Sequence, residues 1–234
     1  MSTLNVFPSH THGHLTIPSS KSHTLRAILF AGLANGLSIV ENPLLSPDSY
    51  AMLHAIELLG AKIVKCNESQ FLIEGVNGHI SSADDVINAG NSGIILRFVS
   101  AIAALGNSPI VITGDHSIRH QRPMYPFMDA LTQLGVNIKS TKGDGFAPLI
   151  IQGPLRGGTA IVHGKDSQPV SALLIAAQFA QEPIEIQVQE GGELPWIELT
   201  LDWLNKMGLS YIRHSPFHFT VPGNSKLESF KKDI

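Results

Sequence analysis

A chain of 234 residues is long enough for one large domain or two small ones, with ample material for a core. Hydrophobic residues make up 43% of it and charged ones only 15%, against roughly 25% charged in an average soluble domain, so whole helices are expected to be buried. The formal net charge of −3 argues against nucleic acid or anionic lipid as a partner. The lone cysteine, Cys66, excludes an intramolecular disulfide and fits a reducing cytoplasm.

Residues Met1 to Thr16 lack the basic start and apolar core of a signal peptide. The longest apolar runs, about ten to thirteen residues, fall short of the about twenty that a membrane span needs, so the expected location is cytoplasmic. His10, His12 and His14 alternate and have the spacing to hold a metal from one strand face. No carboxylate or cysteine completes the set, so solvated histidines on an edge strand are the stronger reading.

From Pro18 onward the chain repeats itself three times. PSSKSHTLR leads into the apolar run LRAILFAGLA from Leu25, then the β-rich LSIVEN, then a helical pattern at Met52, Leu53, Ile56 and Leu59, which ends in LLGAKI, with FLIEG after it. NAGNSGIILR leads into IILRFVSAIAAL from Ile94, then PIVITG, then a helical pattern at Phe127, Leu131 and Leu134, which ends in QLGVNI, with LIIQG after it. GKDSQPVS leads into VSALLIAAQFA from Val170, then PIEIQV, then a helix that ends in KMGLSY, with FTVPG after it. Trp203 fits core packing on that last helix, and Lys226, Lys231 and Lys232 read as a solvated tail.

Gly60, Gly135 and Gly208 stand roughly 75 residues apart, and each is expected just past a helix end. Each unit therefore reads strand, apolar helix, strand, amphipathic helix, strand. The apolar helices lack a polar face, which places them inside. The expected fold is an α/β lobe turned inside out, three buried helices wrapped by three small sheets; the alternative is an ordinary two-layer α/β sandwich.

Each buried helix opens with hydroxyl, amide or glycine residues and has a basic side chain nearby. Unpaired backbone N–H groups and the helix dipole favour an anion at such an end. Ser20, Ser22, Asn91 and Ser167 have the chemistry to cap or donate there, and Lys21, Arg26 and Arg97 add full charge. Taken singly each of these starts is more often a solvated cap. Under threefold symmetry they would converge on one basic pocket. Arg97, inside an apolar helix, must either hold a core ion pair or reach that pocket.

PSSKSHTLRAILFAGLANG, NAGNSGIILRF, QRPMYPFMDAL and DSQPVSALLIAA, in that order and spacing, resemble the 5-enolpyruvylshikimate-3-phosphate synthase family from about Leu15 to Pro222. The resemblance implies a two-lobed fold with three repeated units per lobe, of which this chain is the N-terminal half. On that footing residues 1–17 hold a strand of the second lobe, 18–224 form the substrate-binding lobe and 225–234 cross back. The implied activity is transfer of the enolpyruvyl group of phosphoenolpyruvate to the 5-hydroxyl of shikimate 3-phosphate, with no metal and no organic cofactor. Little or no turnover is expected without the missing lobe, which supplies the principal acid–base groups.

The resemblance assigns Lys21, Ser22, Arg26, Ser167, Gln168 and Trp196 to shikimate 3-phosphate, and Lys21, Asn91, Gly93, Arg122 and Gln168 to phosphoenolpyruvate, with Lys21 as the catalytic candidate. Asp166 and Glu193 depart from it, standing where many members have serines that contact the substrate phosphate. Such carboxylates would repel a dianion unless protonated, turned away or paired. Ile94 and Phe98 are bulkier than the family's usual residues, which should narrow the phosphoenolpyruvate side and make the pocket less tolerant of glyphosate. Two rivals stand beside this reading. One is the enolpyruvyl transferase acting on UDP-N-acetylglucosamine, whose loop cysteine is missing from GDHSIRHQRP here. The other is a non-catalytic phosphate-ligand binding module or pseudo-enzyme.

Overall fold

The computed structural model describes residues 3–10 and 12–234, and each sequence repeat becomes one helix–strand–helix–hairpin unit. The first unit holds α1 (Lys21–Leu33), β1 (Asn35–Glu41), α2 (Pro47–Leu58), β2 (Lys62–Cys66) and β3 (Gln70–Val76). Ser20 starts α1 by accepting from the His23 N–H, and Ser46 starts α2 likewise from Ser49, with Pro47 in the first turn. The second unit holds β4 (Ile87–Asn88), α3 (Gly93–Ala103), β5 (Ile110–Thr113), α4 (His116–Gln121), α5 (Tyr125–Gln133), β6 (Asn137–Ser140) and β7 (Leu149–Gln152). The third holds β8 (Gly158–His163), α6 (Ser167–Ala176), β9 (Ile184–Gln189), α7 (Leu194–Lys206), β10 (Ile212–Ser215) and β11 (His218–Val221).

Three four-stranded sheets result, with one topology. Their orders are β12-β1-β3-β2, β4-β5-β7-β6 and β8-β9-β11-β10, where β12 is Lys231–Asp233. In each, the first strand runs parallel to the second and the remaining pairs are antiparallel. The first unit has no parallel outer strand of its own; β12 fills that place. The inside-out arrangement is as expected, because α1 is buried from Thr24 to Leu33, α3 from Ile95 to Ala103, and α6 over nearly its whole length.

The solvated-tail reading fits the exposed Lys226 but needs correction at Lys231 and Lys232, which belong to β12. Leu227 is buried, the Asn35 N–H donates to its carbonyl, and Lys231 meets Glu41 at 2.9 Å. Residues 227–234 run along β1 as the edge of the first sheet, covering an edge that β1 would otherwise leave unpaired. The N-terminal segment is different. Residues 3–10 and 12–17 form no strand, and Leu4, Val6, Phe7, Leu15 and Ile17 are 76–87% exposed. His10, His12 and His14 are exposed too, and no group of three metal-ligating side chains forms among the described residues. Met1, Ser2 and Thr11, part of the strand expected there, lie outside the described residues.

Gly60, Gly135 and Gly208 have φ of +105°, +79° and +69°, the left-handed turn that ends the second helix of each unit. Gly75, Gly153 and Gly223 do another job. A Cβ on any of them would strike the backbone carbonyl that closes a buried helix, at Ala34, Ala104 and Ala180. Sheet and helix touch there without side chains, which fixes the opposite ends of α1, α3 and α6 in one place.

Candidate active site

Those opposite ends converge. The starts of α1, α3 and α6 border one cavity of about 330 Å³, together with the end of α4 and the start of α7. α1 supplies Lys21, Ser22 and Arg26 to its wall, and the start of α3 supplies Asn91 and Gly93. Arg122 comes from the end of α4, Ser167 and Gln168 from α6, and Trp196 from α7. Every residue that the family resemblance assigns to a ligand lines this cavity, whereas Ser20 and Arg97, also singled out as anion-site candidates, do not.

Arg26 lies at its floor, 3% exposed. Its Nε and Nη2 donate to the Thr200 hydroxyl at 3.1 and 2.7 Å, its Nη1 donates to the Ser22 carbonyl at 3.2 Å, and the guanidinium lies over the Phe98 ring. All these partners are neutral, and no carboxylate pairs with Arg26 among the described residues. Burial alone lowers its pKa to about 10. A buried cation without a counter-charge is costly, so the cavity is built to favour an anion.

The other cations are held differently. Lys21 Nζ is 3.2 Å from Asp48 at the start of α2, which fixes a side chain that is otherwise half exposed. Arg97 takes the ion-pair option: its Nη2 is 3.0 Å from Asp166, and its Nη1 donates to the Gly93 carbonyl at 3.1 Å and to Gln168 Oε1 at 3.3 Å. Burial lowers the Arg97 pKa, Asp166 opposes that, and Arg122 adds to it. The repulsion expected from Asp166 is thus met by pairing. Asp166 Oδ1 also accepts from the Gln168 N–H at 3.0 Å and caps α6.

Glu193 behaves otherwise. Its Oε2 accepts from both the N–H and the hydroxyl of Ser167, at 3.2 and 2.8 Å. At the start of α3 no side chain caps the helix, and the buried Ser92 hydroxyl has no partner among the described residues. Asp115 starts α4, the helix that ends at Arg122; the Ile118 N–H and the Ser117 hydroxyl hold its carboxyl below the usual carboxylate range.

Asp48, Ser92, Ser171 and Thr200 line or support the cavity without having stood out in the sequence. Thr200 is the clearest loss: it sits 174 positions from Arg26, and a threonine on a helix face carries no signal of that pairing.

Residues 7–234 match the family EPSP synthase (3-phosphoshikimate 1-carboxyvinyltransferase). The chain belongs to the EPSP synthase family. It is 41% identical over 231 residues to the 3-phosphoshikimate 1-carboxyvinyltransferase of Chlamydia trachomatis serovar D, covering 99% of this chain and 52% of that protein. The enzymes of that name from Acetivibrio thermocellus and Methanococcoides burtonii are 38% and 43% identical, over 97% and 93% of this chain and 56% and 51% of their own lengths. The structure of EPSP synthase from Acinetobacter baumannii superposes with a TM-score of 0.83 at 25% identity, over 95% of this chain and 49% of that one. The chain therefore spans about half the length of its EPSP synthase relatives. None of these relatives carries the name of the UDP-N-acetylglucosamine enzyme.

Proposed function

We propose that this lobe is the shikimate 3-phosphate side of a 3-phosphoshikimate 1-carboxyvinyltransferase of aromatic amino acid biosynthesis. The buried, carboxylate-free Arg26 guanidinium carries the reading, because it answers an anionic ligand in a cavity where three helix starts meet. Lys21, Ser22, Arg26, Ser167, Gln168 and Trp196 would hold shikimate 3-phosphate. Asn91, Gly93 and Arg122, with Lys21 and Gln168, would hold phosphoenolpyruvate.

In the reaction the 5-hydroxyl oxygen of shikimate 3-phosphate bonds to C2 of phosphoenolpyruvate while C3 takes a proton. The tetrahedral adduct then expels phosphate and loses a C3 proton to restore the double bond. Lys21, tethered by Asp48, contributes charge beside the reacting atoms, and the clamped guanidinium groups stabilise the polyanionic adduct. A second lobe completes the acid–base set. The exposed apolar residues between Leu4 and Ile17 support residues 1–17 as a segment that buries its side chains against that lobe. The enzyme works in the cytoplasm.

A second reading, a phosphate-binding module without catalysis, is favoured by one observation: Glu193 already holds Ser167. Calorimetric titration of shikimate 3-phosphate into the chain, with Lys21→Ala and a UDP-N-acetylglucosamine control, tests the proposal. Saturable binding of the shikimate compound alone, lost in the variant, supports it. A folded protein that prefers the nucleotide sugar overturns it. Joined to its second lobe, the chain should turn over substrate; binding without turnover there would favour the module.

A further inference from the structure

The three helix starts that border the cavity are not equivalent. α1 opens on Ser20, a neutral cap, and α3 has no side-chain cap at all. α6 has two carboxylates on its first donors. Asp166 accepts from the Gln168 N–H, and Glu193 accepts from the Ser167 N–H and hydroxyl.

The two carboxylates differ in what else holds them. Asp166 is spent on the buried Arg97, so its charge is balanced and its position is structural. Glu193 has no basic partner within ion-pair distance among the described residues, and it is exposed, on the chain just ahead of α7. Its hold on α6 is therefore only the two bonds to Ser167 and the helix dipole. It does there what a ligand's anionic oxygen would do: it takes a backbone N–H and a hydroxyl at the end of a helix that faces the cavity. Two further features mark this cavity as a ligand site, the carboxylate-free Arg26 and the buried, unpartnered Ser92 hydroxyl on its wall.

Resting on the reading of the cavity as a shikimate 3-phosphate site, we infer that Glu193 is a specificity-determining carboxylate that occupies the anion position at the start of α6 and weakens binding of a ligand phosphate there. A phosphate reaching Ser167 must displace Glu193 from both bonds and then stand beside its charge. A ligand of the same ring without the phosphate meets neither obstacle. The chain thereby favours the dephosphorylated ring relative to a variant whose residue 193 is neutral.

The test is calorimetric titration of shikimate 3-phosphate, and separately of shikimate, into the chain and into Glu193→Gln and Glu193→Ser, with folding checked by circular dichroism. Both variants should bind shikimate 3-phosphate at least about tenfold tighter than the parent, the scale of a charge-assisted hydrogen bond lost to competition, while shikimate binding stays within about twofold. Equal or weaker binding of shikimate 3-phosphate by the variants overturns the role of Glu193 and leaves the substrate reading standing. Tightening of both compounds by one factor also overturns it, since the phosphate would then be irrelevant. Folded parent and variants that bind neither compound overturn the substrate reading and this inference with it.

Discussion

Arg97 on α3 and Asp166 at the start of α6 meet at 3.0 Å, and the pair joins the second repeat to the third beside the cavity. The Arg97 side chain is 7% exposed and that of Asp166 40% exposed. Arg97 is therefore the partner that suffers when the pair is broken, and its Nε has no hydrogen-bond partner among the described residues. Asp166→Asn should lower stability by about 2 kcal/mol, less than for a fully buried pair because water reaches Asp166. Urea unfolding checks this, with Asp202→Asn as the control, since its exposed i,i+4 pair with Lys206 should shift the midpoint little. Equal small shifts in both would mean that the carbonyls of Gly93 and Pro123 suffice to hold Arg97.

Gly153 tests the contact that seats the buried helices. A Cβ there would collide with the Ala104 and Gly106 carbonyls, both backbone atoms that no rotamer change can move. Gly153→Ala should cost roughly 3 kcal/mol through forced separation of β7 from the end of α3. Gly143→Ala is the comparison. That glycine has φ +70° but open space around it, so only the backbone penalty of about 1 kcal/mol applies. Thermal unfolding of the two variants separates steric seating from backbone strain, and equal losses would reject the seating role.

How much of this was readable in the chain depends on the range of each interaction. Helix ends at Gly60, Gly135 and Gly208 are local and were legible, as were the buried helices, whose composition alone puts them inside. The strands β2 and β10 were not, because residues such as Lys62, Lys65 and Arg213 keep them solvent-facing and erase the apolar alternation. β12 was hidden for another reason. Three residues of Lys-Lys-Asp form a strand only because β1 offers them an edge nearly 200 positions away, at Ile39↔Lys231. The site residues were legible through family motifs, but their partners were not: Asp48, Thr200 and the division of labour between Asp166 and Glu193 exist only once the helices are packed.

His23 makes stability depend on pH. The Trp203 Nε1–H donates to His23 Nδ1 at 3.0 Å, which requires that nitrogen to be unprotonated. Burial lowers the His23 pKa below its usual 6.5, helped by Arg26, Lys206 and Lys232 and opposed by Asp202. The unfolded chain therefore takes up the proton first. The contribution is complete above pH 6.5 and is lost as pH falls through the lower folded value. Urea midpoints followed from about pH 7.5 to about pH 5 should fall for the parent chain and fall less steeply for His23→Gln. Parallel curves would remove His23 from the account.

Arg26 is where stability and binding should part. Its charge is buried without a carboxylate, so the folded lobe carries a desolvation cost that its neutral partners offset in part and a bound anion would offset further. Arg26→Met keeps an apolar stem and removes the charge, together with the guanidinium that lies over Phe98. The Thr200 hydroxyl it leaves behind still donates to Ser171 and lies 3.3 Å from the Trp196 carbonyl, so no orphaned group is created. Stability should stay within about 1 kcal/mol of the parent or rise, as when buried ionic groups are exchanged for apolar ones of similar size. Shikimate 3-phosphate affinity should fall roughly a hundredfold, the worth of a charge-assisted contact to a desolvated arginine. Urea unfolding and calorimetry on the same preparation read both quantities. A variant that unfolds easily while binding normally would make Arg26 a structural strut between α1 and α7 and not a ligand for the substrate.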